Sequence, residues 1–108
     1  MQILVKQKSG ATIVELVDDI DLNVVHEVRK ELLEQVNQQS RVFVDLSGVT
    51  IIDSSGVACL IEAYQLSRQL EKTFGLIAVS ENVGRVLSLA HLNSIFPQFR
   101  TVDEAVNS

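Results

Sequence analysis

Two adjacent hydroxyls, Ser54 and Ser55, follow the carboxylate of Asp53 and precede Gly56 in the stretch IIDSSGV at residues 51–57. Side chains of these types at this spacing can cap a helix, attack an electrophile, cradle an anion, or receive a phosphoryl group from another enzyme. A serine nucleophile of the esterase kind needs the elbow G-x-S-x-G, but Ile52 stands two residues before Ser54. Such a nucleophile also needs a histidine base backed by a buried acid. The chain has only His26, among charged neighbours early in a helical run, and His91, at the end of a later one. No HExxH, CxxC or clustered His/Asp set offers a metal site. The five glycines are scattered, and GxxxxGK[ST] is missing. These residues point away from an enzyme and call for no cofactor and no metal.

A helix cap and a residue acted upon are what remain, and the two are compatible. Asp53 or Ser54 at a helix start is worth about 1 kcal/mol as an N-cap. A phosphate placed there would find N–H donors at the helix terminus. It would also face Asp53 and add roughly −1.5 to −2 charges. A partner docked over it would be repelled by several kcal/mol, and about 1.4 kcal/mol is a tenfold change in affinity. On these grounds alone Ser54 and Ser55 are nearly equivalent acceptors.

The elements that position the stretch follow from periodicity. MQILVK (1–6) and ATIVELV (11–17) alternate as strands and are joined by a short turn ending at Gly10, so they predict an antiparallel pair. From Leu22 to Gln38 the period becomes helical, with Val25, Val28, Leu32 and Val36 on one face and Asp21 placed to cap. RVFVDL (41–46) is a short, dense central strand. A helix runs from Ser54 to Lys72, a strand over 73–79, a helix after Ser80, a short edge strand over 96–99 holding Pro97, and a terminal helix opened by the capping box Thr101/Glu104. The order β-β-α-β-α-β-α-β-α predicts one α/β domain over residues 1–108. Its mixed, mostly parallel sheet has about five strands, and its four or so helices lie mainly on one face. Asp45 and Glu15 point to a second face left partly open. Val57, Ile61 and Tyr64 share one side of the second helix and read first as core. Cys59 reads as a small buried hydrophobe.

Composition bounds the rest. The chain has 108 residues, 46% of them apolar, which is enough for one core. Its formal net charge of −5 disfavours nucleic acid. No apolar run approaches the ~20 residues that span a bilayer, and the N-terminus lacks the features of a secretory signal. One cysteine allows no internal disulfide. These features are those expected of a cytoplasmic, free-standing protein.

The pattern FVDLSGVTIIDSSGVACLIEAYQLSRQLEK resembles the signature of the STAS domain, shared by sulfate transporters and anti-sigma-factor antagonists. The resemblance extends over nearly the whole chain, through VDDIDL near the start and HLNSIFPQFRTVDEAV near the end. It implies a bacterial anti-sigma-factor antagonist working by partner switching. Its partner would be an anti-sigma factor with serine kinase activity, bound when Ser54 is unmodified and released when Ser54 is phosphorylated, and a phosphatase would restore the serine. It implies Ser54 as the phosphoacceptor, with Ser55 as the alternative, and a partner-binding set of Asp21, Asp53, Ser54, Ser55, Gly56 and Val57. Asp45 matches the acid of the family's DLSGV strand, and Asp18 stands where the family commonly has glycine. The family also contains accessory subunits of phospholipid-transport complexes and phospho-switches acting on partners other than sigma pathways, and these are the alternatives.

Overall fold

The chain starts with a hairpin whose turn chemistry is explicit. Strands β1 (Gln2–Lys8) and β2 (Ala11–Val17) pair antiparallel from Gln2↔Val17 to Lys8↔Ala11. The two residues between them, Ser9 and Gly10, both take positive φ, 51° and 79°. That is the two-residue turn whose twist matches the flanking strands. From β2 the chain passes through α1 (Val25–Gln38), β3 (Arg41–Gly48), α2 (Ser54–Gln69), β4 (Thr73–Ile77), α3 (Glu81–Leu89), β5 (Gln98–Phe99) and α4 (Val102–Val106). The computed structural model describes residues 1–108.

The sheet order is β1-β2-β3-β4-β5, with every pair after the first parallel. Each strand therefore lies beside its predecessor, and right-handed crossovers carry α1, α2 and α3 to one face. There Val28, Leu32 and Val36 of α1, Leu60 and Ala63 of α2 and Val83 and Leu87 of α3 pack with Val14, Val44 and Leu76 of the strands. Cys59 is buried in the same cluster, and burial, aided by Glu62, pushes its thiol pKa up to about 11. It is unreactive packing.

The other face is more closed than the sequence predicts. The short helix α4 lays Ala105 and Val106 over Ala11, Ile13, Phe43 and Ile77. Arg41 holds it there, its Nη2 donating to the carbonyl oxygens of Val106 (3.1 Å) and Ala105 (3.4 Å). Asp45 is only 6% exposed and accepts the backbone N–H of Ser47 at 2.9 Å. Its carboxylate does not mark open surface.

Helix ends follow local rules. Ser80 and Thr101 accept the N–H groups of Val83 and Glu104, three residues on. The carboxylate of Glu104 reaches back to the N–H of Arg100, one residue before the cap. Past α3, His91 takes φ 60° and its N–H bonds the Ser88 carbonyl, while Leu92 N–H bonds the Leu87 carbonyl. This is a Schellman closure with histidine in the position usually held by glycine. Two boundaries differ from the periodic reading. Residues 21–24 form turns and α1 starts at Val25, with Val24 at its cap and no side-chain bond there. The last strand is confined to Gln98–Phe99 on the sheet edge, leaving Pro97 outside it.

Candidate functional site

In a parallel sheet the chain leaves the carboxyl ends of adjacent strands side by side, and sites gather there. β2 and β3 are such neighbours. The segment after β2 (residues 18–21) and the segment after β3 (residues 49–53) are bonded to each other and to the strand ends. Asp18 N–H donates to the Gly48 carbonyl (3.0 Å), Ile20 N–H to the Ile51 carbonyl (3.0 Å), and Asp53 N–H to the Ile20 carbonyl (3.1 Å). Ile20 and Ile52 pair as an isolated parallel bridge. Asp19 adds a side-chain tie, its Oδ1 accepting Ile51 N–H at 3.2 Å. Asp18 makes the bend with φ 92°, a conformation in which glycine is at home and aspartate is strained.

The paired segments deliver Asp53 to the N-cap of α2 in extended conformation. Its Oδ1 accepts three hydrogen bonds: from Ser55 N–H (3.0 Å), Gly56 N–H (3.1 Å) and Ser55 Oγ (2.5 Å). The Ser55 hydroxyl and then the Gly56 N–H, with lesser help from the backbone of Ser55 and Leu22, hold its pKa below the ordinary carboxylate value against a small opposing effect of burial. The carboxylate is ionised and its cap is complete.

One consequence separates the two serines. Ser55 is half-buried and its hydroxyl is committed to Asp53. Ser54, the first helical residue, is exposed and its side chain makes no hydrogen bond. Another concerns anion binding. The Ser55 and Gly56 N–H groups that a helix start offers to an anion already serve Asp53.

Gly56 and Val57 are placed differently from the other candidates. Gly56 is buried, and a Cβ on it would meet Ile52 Cγ1 at 2.6 Å and Ile20 Cγ2 at 2.7 Å. The glycine is what lets α2 start directly on the bonded segments. Val57 is 7% exposed and belongs to the main core, so its side chain packs inward beside Ser54.

Asp21 does not cap α1. Its Oδ1 accepts Asn23 N–H at 2.9 Å and its carbonyl takes the N–H groups of Val24 and Val25. A side chain that closes a local turn cannot also reach a helix starting four residues later. The turn nonetheless keeps Asp21 next to Ile20, whose carbonyl accepts Asp53 N–H. Sequence reasoning missed Asp19, whose tie to Ile51 is visible only once the two loops are adjacent. It also missed Leu22 and Ile51, which stand in solvent beside the site. The Ile51-Ile52 pair carries the one available signal, because consecutive residues of an extended segment point opposite ways.

The family model of the STAS domain matches residues 2–105. Among solved structures, an anti-sigma factor antagonist from Mycobacterium paratuberculosis superposes with a TM-score of 0.89 at 25% identity, over 98% of this chain and 91% of that one. A candidate anti-sigma factor antagonist from Thermotoga maritima superposes with a TM-score of 0.90 at 24% identity, over 97% and 92% of the two chains. The phosphorylated form of the Bacillus cell-fate determinant SpoIIAA superposes with a TM-score of 0.77 at 16% identity, over 98% and 97%. No helix of the chain is long and apolar enough to cross a membrane.

Proposed function

The chain belongs to the STAS domain family, and on that premise we propose that it is an anti-sigma-factor antagonist switched by phosphorylation of Ser54. Unmodified, it binds an anti-sigma factor that is also a serine kinase. Phosphorylated, it is released, and a phosphatase returns it to the binding state. The observation that carries this reading is the division of labour at the α2 start. Asp53 and Ser55 complete the cap between them, which leaves Ser54 exposed and unbonded. The existence of a phosphorylated form in the Bacillus relative of the same fold supports it.

The chemistry asks little of this chain. Ser54 Oγ attacks the terminal phosphorus of ATP held by the kinase, the Oγ–P bond forms, the bond to ADP breaks, and the serine proton passes to a base on the kinase. Asp53 is a weak base for that proton, because the donors on its Oδ1 hold its pKa below the ordinary carboxylate value. The same hydrogen bonds explain how the phosphate acts. It cannot take over the N–H groups of Ser55 and Gly56, so it stands in water beside the Asp53 carboxylate. The switch then works by placing roughly −1.5 to −2 charges in the partner's path, with the fold unchanged.

Incubation with ATP and the cognate kinase, followed by intact-mass and fragment analysis, tests the assignment. Wild type and Ser55→Ala are expected to gain one phosphate on Ser54, and Ser54→Ala none. Full phosphorylation of Ser54→Ala would remove Ser54 from the mechanism.

A further inference from the structure

The most exposed large apolar side chains in the chain are Leu89 at 76%, Leu22 at 72% and Ile51 at 57%. All three lie around the segments that hold Ser54. Leu22 follows Asp21 on the segment bonded to residues 51–53, and its backbone helps to lower the Asp53 pKa. Ile51 and Leu89 line one groove of about 220 Å³ between the β3–α2 segment and α3, together with Ile52 and Val86. Ile52, itself buried, lines the groove and directly precedes Asp53 in the chain. Solvent-facing apolar side chains grouped in this way mark an interaction surface.

The charges around them select the occupant. Asp18, Asp19, Asp21 and Asp53 sit on the two bonded segments, and Arg85 is the only cation lining the groove, drawn 3.5 Å from Glu81 on its own helix. A second copy docked two-fold on this face would set the same aspartates against each other. An anionic membrane surface would be repelled in the same way. A protein surface with Lys and Arg around apolar side chains would be attracted.

We propose that Leu22, Ile51 and Leu89 anchor a docking surface that runs from the Ser54 segment onto α3 and takes a partner protein presenting apolar side chains within a basic rim. The proposal rests on the reading of Ser54 as the partner-facing switch and adds α3 to that surface. Charged rims set association rate and salt dependence, whereas buried apolar anchors set dissociation.

The test is binding kinetics against the purified serine kinase that modifies Ser54, with ADP present so that the serine stays free. Leu22→Asp and Leu89→Asp are each expected to weaken binding at least tenfold, mainly through faster dissociation. Leu70→Asp, at the far end of α2 and about 24 Å away at 1.5 Å per residue, should bind within twofold of wild type. Raising the salt should slow association several-fold. Leu89→Gln, which keeps helix propensity, serves as a second variant if Leu89→Asp fails to fold. Wild-type binding by the Leu89 variants, or an equal loss in Leu70→Asp, overturns the proposal. Phospho-Ser54 protein that binds as tightly as unmodified protein would instead overturn the switch and leave the surface standing.

Discussion

At the scale of single residues, the behaviour of the site turns on where one hydroxyl points. Ser55 Oγ donates to Asp53 and Ser54 Oγ stands free. Ser55→Ala should therefore keep phosphate acceptance while losing one hydrogen bond, a destabilisation of about 1 kcal/mol in urea denaturation. Asp53→Ala removes the cap itself and should cost about 1 kcal/mol or more. The acid limb of stability follows from the lowered Asp53 pKa. A carboxylate whose folded pKa lies below its unfolded value binds fewer protons when folded, so its stabilising effect is complete above the unfolded pKa. It is lost as pH falls through the folded pKa. Asp53→Asn should flatten that acid-side decline, and denaturation followed from neutral pH downward measures it. The residues in order put a cap at Asp53 or Ser54, and they leave the serines nearly equal as acceptors. The choice between the hydroxyls is a side-chain orientation that residue order alone does not encode.

Between the residue and the whole lie the joints at element ends. α2 starts hard against Ile20 and Ile52 because Gly56 has no side chain. Gly56→Ala should force those isoleucines apart and destabilise by about 1–3 kcal/mol, the usual range for overpacking, as read by thermal denaturation. Asp18, with φ 92°, offers the opposite experiment. Asp18→Gly relieves a strained backbone and should raise stability by roughly 1 kcal/mol, less the greater freedom that glycine gives the unfolded chain. The order of the elements was legible because apolar period shifts cleanly between two and three to four along the chain. The start of α1 was less so. Asp21 has the type and position of a cap, yet its side chain closes a turn with Asn23 instead.

For the molecule as a whole, the two faces of the sheet are closed by unequal means. Three crossover helices cover one face, and five residues of α4, tethered by Arg41, cover the central part of the other. The capping box Thr101/Glu104 announces that helix in the sequence but not the face it covers, so Asp45 reads there as a sign of open surface although it is buried. Arg41→Ala should release α4 and speed amide exchange across Phe43 and Ile77, whereas Lys8→Ala, which breaks only the exposed pair with Asp103, should change stability by less than about 1 kcal/mol. Ser54 is exposed and its side chain is unbonded, so under the proposed switch a phosphate there would displace no internal group and would act on the encounter with a partner. The most direct measurement is the affinity of the unmodified and the stoichiometrically Ser54-phosphorylated protein for the same anti-sigma factor, side by side at one ionic strength. Repulsion of several kcal/mol predicts a loss of about a hundredfold or more on phosphorylation, with unchanged circular dichroism. Equal affinities of the two forms would contradict the switch.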